Sequence, residues 1–234
     1  KAIPNRLYAD ILSILNLLCG ILGIALVFQG HYVLAALAIL AGQVFDLFDG
    51  RMAEKHGGTR FGPWLDDIAD LTSFGLCPAL LMSELGRFSP HAVVLGALYF
   101  LAVTFRLWRF VIQDKRDRDI PKGAFNGLPS PAGALVALGA LLFWRDIWIS
   151  WVVICATSFL LVSHIRFVHF GRVILPLIPR SVVILLGFLV LLIAAYLIKV
   201  RDPRMLGGVL LGLFAVYGLA GNYRVLSRFV RTGD

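Results

Sequence analysis

Long apolar runs, broken by short links that carry charge, glycine or proline, set the plan of this chain. Eight such runs stand out, at about 7–28, 32–53, 63–85, 91–112, 131–144, 147–168, 181–199 and 205–223. Most reach the length of about 20 residues that crosses a bilayer as a helix. None shows the polar–apolar alternation of transmembrane strands. The pattern predicts an all-α fold: a polytopic membrane helix bundle of about eight transmembrane helices, forming one domain over residues 1–234. Only Arg145-Asp146 separates the fifth run from the sixth. A tight turn is expected there, and one long bent helix is the alternative.

Composition agrees with this plan, since 59% of the residues are hydrophobic and 15% charged. The net charge of +8 would suggest nucleic acid as a partner in a soluble protein. Here the basic residues sit mostly in the short links, so the expected contact is with anionic lipid head groups and not with nucleic acid. Placing the N-terminus in the cytoplasm puts only Arg87, Arg145, Lys199, Arg201 and Arg204 outside, and the other seventeen of the 22 Lys and Arg residues inside. That bias predicts a cell-membrane protein with both termini cytoplasmic. Cys19, Cys77 and Cys155 are far apart in apolar runs and fit no metal spacing.

Four aspartates break the apolar pattern. Asp46 and Asp49 end the second run, and Asp66 and Asp70 open the third. An aspartate at the bilayer centre costs roughly 2.5–3.5 kcal/mol, so an uncompensated group of them is unsustainable. Residues three or four apart share a helix face. Asp46, Asp49, Gly50 and Ala53 therefore line one face, and Gly62, Asp66 and Asp70 another. A short link makes these helices antiparallel neighbours, so their carboxylates converge near the cytoplasmic surface. Asp67 points about 100° away from Asp66. Clustered carboxylates need cations, and an all-oxygen set suits Mg²⁺, Mn²⁺ or Ca²⁺. Two such ions can grip a phosphate-containing substrate. The small residues Gly50, Ala53 and Gly62 leave room for a nucleotide, although close helix packing also favours small residues. An ion pathway is the competing use of intramembrane carboxylates.

A second unusual stretch, Pro121-Lys122-Gly123-Ala124-Phe125-Asn126-Gly127-Leu128-Pro129-Ser130-Pro131, alternates glycine and proline with little charge. Irregular backbone near a membrane must be buried in protein or line a wet cavity.

The pattern Asp46-x-x-Asp49-Gly50-x-x-Ala53, then Gly62-x-x-x-Asp66-x-x-x-Asp70, resembles the signature of the CDP-alcohol phosphatidyltransferase family. The run from Arg60-Phe61-Gly62 through Ser73-Phe74-Gly75-x-x-Pro78-Ala79 resembles its membrane-type phosphatidylserine synthase branch, as does Phe125-Asn126-Gly127-Leu128-Pro129-Ser130-Pro131-Ala132. The resemblance implies a six-helix core, here with two helices added, and a homodimer. It implies two divalent cations, Mg²⁺ or Mn²⁺, held by Asp46, Asp49, Asp66 and Asp70, with Asp70 also the proton acceptor. Gly50 and Thr59 would contact the CDP moiety, Ala53 and Gly62 would make room for it, and Asn16 would lie near it. The family usually carries arginine where this chain has Glu54. Arg51 or Arg60 is expected to supply that charge and to pair with Glu54 at the rim of the site.

The implied reaction joins CDP-diacylglycerol, or a CDP-archaeol-like lipid, to L-serine and releases CMP. Other acceptors, such as glycerol 3-phosphate, inositol or its phosphate, or choline, use the same chemistry. A serine carboxylate calls for a cation, for which Arg106, Arg109 and then Arg166 are candidates, with Asn126 and Ser130 as polar contacts. A non-catalytic ion transporter or lipid-binding membrane protein is the reading from another class.

Overall fold

The computed structural model describes residues 7–56, 58–114, 124–144, 146–168, 170, 175 and 179–231. Two long helices, α1 (Leu7–Phe28) and α2 (Tyr32–His56), form an antiparallel pair. The turn between them places Gly30 at φ +73°, and the His31 amide donates back to the Leu26 carbonyl at 2.9 Å. This is the left-handed glycine ending that closes many helices.

The third apolar run is one helical rod with a widened middle: α3 (Gly62–Asp70), a π-helical turn (Leu71–Leu76) and α4 (Cys77–Leu85). Pro78 explains the widening. It has no N–H to give the Phe74 carbonyl, and its ring crowds that carbonyl. The Cys77 amide reaches back to Thr72, and the Tyr99 hydroxyl donates to the Phe74 carbonyl at 3.0 Å. Tyr99 lies on α5 (Pro90–Arg109), which continues into a π-helical turn, Phe110–Asp114. Here α1 and the rod almost touch. The Ser73 hydroxyl donates to the Asn16 carbonyl at 2.9 Å, and a Cβ on Gly20 would meet the Ser73 Oγ at 2.5 Å.

The second half contains β1 (Ala124–Asn126), α6 (Ser130–Phe143), α7 (Ile147–Val162), β2 (Arg166–Val168), α8 (Arg180–Val200) and α9 (Pro203–Arg231). At 14 residues, α6 is only about 21 Å long, shorter than the hydrocarbon core of a bilayer. Its alanine- and glycine-rich surface is buried on nearly every side, and α7 and α9 pack against it. A helix apolar all round belongs in such a core.

Residues 130–143 and 147–162 are two separate helices, not one long bent helix. Trp144 and Asp146 have extended backbone, and the Asp146 side chain accepts from the Trp148 amide. The Ser150 hydroxyl reaches the Ala140 carbonyl at 3.0 Å, so α6 and α7 run antiparallel.

Two expectations need correction. Residues 166–168 are not the end of the sixth helix; they form β2, antiparallel to β1, with Phe125 opposite Phe167 and Asn126 opposite Arg166. The cause is Arg109, whose guanidinium takes the Val162 carbonyl at 2.6 Å and the Leu161 carbonyl at 3.4 Å. Those are the carbonyls that another helical turn would have used. Among the described residues the fold is therefore helical with one small strand pair. In addition, the third run is two α-helical pieces joined by the π-helical turn instead of one regular helix.

The polarity of the bundle is inverted relative to a water-soluble protein. Leu18, Ile21 and Leu22 of α1 and Phe188, Leu191 and Leu192 of α8 face outward, while Ser13, Asn16, Asp49, Asp70, Ser73 and Arg106 are buried. Among the described residues, four helical stretches are long and apolar enough to cross a membrane: Leu7–Phe28, Tyr32–Ala53, Gly62–Leu85 and Pro90–Ile112. Shorter apolar helices accompany them. The molecule is an all-helical membrane bundle in its main architecture.

Gly127 gives a stability prediction. It has φ +78°, and a Cβ there would meet the Leu161 carbonyl and, at 2.6 Å, the Arg109 Nη2. Gly127→Ala should cost at least about 2 kcal/mol from strain and overlap together. Thermal unfolding in detergent should show Tm lowered by several degrees.

Candidate active site

One end of the bundle gathers nearly all the chemistry-bearing side chains. The last turns of α2 carry Asp46 and Asp49 into the space opened by the first turns of α3. A ligand oxygen from each of Asp46, Asp49 and Asp66 lies within 4.8 Å of the others. Asp70, one turn further along α3, comes up against Asp46, and Asp49 comes up against Asp66. All four carboxylates thus form one connected group.

The bundle holds this group from behind. The Ser13 hydroxyl donates to the Asp49 Oδ2 at 2.8 Å. The Asn16 amide donates to the Asp70 Oδ1 at 3.3 Å. Ser13 and Asn16 are three apart on α1, so they face the same way. Asn16 is completely buried, and a Cβ on Gly42 would lie 2.7 Å from its Oδ1. Asn16 therefore meets an aspartate deep in the bundle, not the open rim.

The group is suited to divalent cations. Carboxylate oxygens this close repel one another strongly unless positive charge lies among them. The Asp66 Oδ1 is buried without a hydrogen-bond partner, which leaves a lone-pair acceptor for a cation. An all-oxygen donor set matches hard ions.

The open side of the site is lined by the small residues. Gly50 is exposed, and a Cβ there would find no atom within 4 Å. Ala53 and Arg51 are half-buried, and Arg60 is exposed. Glu54's expected pairing with an arginine falls on a side chain outside the described residues, and the start of the glycine–proline stretch, residues 121–123, also lies outside them. Thr59 turns inward: its hydroxyl donates to the Asp10 Oδ2 at 2.7 Å and accepts the Gly62 amide at 3.0 Å. Asp10 was not among the residues the sequence singled out. Its place three residues before Ser13, on the same helix face, is the signal that would have found it.

The five acceptor candidates separate into distinct surroundings. Arg106 is buried, donates from Nη1 to the Ser130 Oγ at 3.0 Å, and attracts Asp46 and Asp70 electrostatically. Arg109, only 2% exposed, gives Nη1 to the Val162 carbonyl and Nη2 to the Asn126 carbonyl at 2.6 Å each. It thus ties α5 to the strand pair and the end of α7. Asn126 is half-buried at the end of β1, and Arg166 is exposed opposite it on β2.

The sequence as a whole matches the CDP-alcohol phosphatidyltransferase family over residues 6–214. A CDP-diacylglycerol--serine O-phosphatidyltransferase from Bacillus subtilis is 31% identical over 164 residues, covering 69% of this chain and 89% of that protein. One from Mycobacterium leprae is 27% identical over 208 residues, covering 83% of this chain and 68% of that protein. An archaetidylserine synthase from Methanothermobacter thermautotrophicus is 32% identical over 164 residues, covering 68% of each. With the carboxylates gathered by the spacing that defines the family, and the match extending through most of the bundle, this chain belongs to the CDP-alcohol phosphatidyltransferases.

Proposed function

We propose that this enzyme transfers the phosphatidyl group of CDP-diacylglycerol to L-serine, forming phosphatidylserine and CMP. The observation that carries the proposal is the meeting of Asp46, Asp49 and Asp66 within 4.8 Å, with Asp70 against Asp46. The names of the bacterial relatives support serine as the acceptor. The archaeal relative supports an ether-linked donor, CDP-archaeol, as the second candidate lipid.

In this reading Asp46, Asp49, Asp66 and Asp70 hold two divalent cations, Mg²⁺ or Mn²⁺. When bound, such ions neutralise the carboxylates and stabilise negative charge on the diphosphate. Gly50, Ala53, Thr59 and Gly62 border the space for the CDP moiety, with Arg51 and Arg60 at the rim. Asn16 and Ser13 orient the carboxylates from the protein side. Asp70 accepts the proton of the serine hydroxyl. The serine oxygen forms a bond to the phosphorus that carries diacylglycerol, and the bond from that phosphorus to the CMP oxygen breaks. Holding the two substrates in line supplies much of the rate.

Arg106, oriented by Ser130, is the proposed partner of the serine carboxylate. Arg109 holds the strand pair in place at Asn126, and Arg166 borders the same pair. The bundle is proposed to cross the cell membrane eight times as a homodimer among membrane lipids. Both termini and the site then face the cytoplasm.

Arg106→Ala tests the acceptor assignment. Losing a charged hydrogen bond of about 1.5–3 kcal/mol should raise the KM for serine roughly 10- to 100-fold. The KM for the CDP-lipid should change much less. An equal rise in both would count against carboxylate binding. The reaction itself is tested by supplying CDP-diacylglycerol with serine, glycerol 3-phosphate, inositol or choline. The expected result is CMP release and a new lipid with serine only. An ion transporter or lipid-binding protein would release no CMP with any of them.

A further inference from the structure

Asp10 is an acidic residue at the same end of the bundle for which neither the metal-type cluster nor the acceptor side has a use. It sits on the first turn of α1, half-buried, and makes one strong contact, accepting the Thr59 hydroxyl proton at 2.7 Å. That bond has a directional consequence. A threonine hydroxyl has a single proton, and a carboxylate can only accept. With the proton committed to Asp10, the Thr59 oxygen presents its lone pairs to the Gly62 amide, 3.0 Å away. Gly62 is the first residue of α3, and Phe61 before it provides no side-chain cap. Pro63 follows and has no amide hydrogen to anchor. The Thr59 oxygen is therefore the side-chain acceptor that fixes the start of α3, one turn before Asp66.

The close fit around Gly62 points the same way. A Cβ at Gly62 would lie 2.9 Å from the Asp10 Oδ1 and 3.5 Å from the Thr59 Oγ1. A side chain at 62 would have to displace the Asp10 carboxylate, so the glycine accommodates Asp10 as well as the proposed nucleotide space. The Asp10 Oδ1 is buried and has no hydrogen-bond partner, so the carboxylate is held in place through its other oxygen. Along α1, Asp10, Ser13 and Asn16 recur every third residue. Each bonds a different part of the acidic site: Thr59 at the start of α3, Asp49 and Asp70.

We propose that Asp10 is a positioning residue. By orienting the Thr59 hydroxyl it sets where α3 begins, and so where Asp66 and the edge of the donor-binding space stand. This rests on the phosphatidyl-transfer reading only for its kinetic consequence.

The test compares Asp10→Ala, Asp10→Asn and Gly62→Ala with the double variant Asp10→Ala/Gly62→Ala, using full-length protein in detergent. Asp10→Ala should raise the KM for CDP-diacylglycerol about tenfold or more, the effect of losing one charge-assisted hydrogen bond, and leave the KM for serine within about twofold. Asp10→Asn keeps an oxygen that accepts from Thr59 and should retain CDP-lipid KM within about threefold. Gly62→Ala should lower both Tm and activity in the parent protein and do so less in the Asp10→Ala background, because the overlap is gone. An unchanged CDP-lipid KM in Asp10→Ala, or an equal Tm loss from Gly62→Ala in both backgrounds, would overturn the proposal. Should the parent protein release no CMP, the phosphatidyl-transfer reading falls, while the Tm comparison still decides whether Asp10 sets the start of α3.

Discussion

Asp70→Asn should lower CMP release by about 10³-fold or more while leaving the protein folded. The exchange keeps the shape of the side chain and an oxygen for the Asn16 amide, which donates to the Asp70 Oδ1 at 3.3 Å. It removes the basic oxygen proposed to take the serine proton, a contribution of about 10²–10⁴ in general-base catalysis. It also removes one of four negative charges from the group. Asp70 is 8% exposed, so bulk water has little access to replace the lost base. Single-turnover CMP release measures the loss, and a Tm close to the parent value shows that the bundle is intact. A rate within about tenfold of the parent would remove Asp70 from the proton transfer.

Asp46→Asn should have the next largest effect, and a different signature. Asp46 is the link between the two parts of the acidic group: it lies in the cluster with Asp49 and Asp66 and touches Asp70. Removing its charge weakens the hold on any divalent cation while leaving the proposed base in place. The Mn²⁺ concentration for half-maximal CMP release should rise by about 10- to 100-fold, the scale seen when groups around a metal are altered. Excess Mn²⁺ should restore part of the rate. Asp70→Asn should not respond to excess metal in this way, since a missing base is not replaced by mass action.

The acidic group was legible because helix geometry converts spacing directly into proximity. Asp46 and Asp49, then Asp66 and Asp70, are one turn apart, and a short link forces their helices together. The long runs were equally legible, as was the break between α6 and α7, where two charges in the sequence interrupt a run that a bilayer would otherwise keep continuous. What could not be read was tertiary. Arg109 looks like Arg106 in sequence, three residues away on the same helix, yet the fold gives Arg109 to three backbone carbonyls and Arg106 to the Ser130 hydroxyl. The strand pair exists because distant segments, 124–126 and 166–168, meet across α6 and α7. No local pattern of three residues specifies that. The π-helical turn depends on Tyr99, supplied by another helix to a carbonyl that Pro78 leaves unserved. Asp10 was hidden for a related reason: an aspartate near the start of a helix reads as an ordinary dipole partner, and only the packing of α1 against α3 brings it to Thr59.

Binding of Mn²⁺ to the purified protein, followed by electron paramagnetic resonance with and without CDP-diacylglycerol, addresses the central claim most directly. The account predicts two Mn²⁺ ions per chain, bound more tightly when the CDP-lipid is present, and loss of that binding in an Asp46→Asn/Asp66→Asn double variant that remains folded. Mn²⁺ binding that is absent in the parent protein, or unchanged by removal of both aspartates, would contradict it.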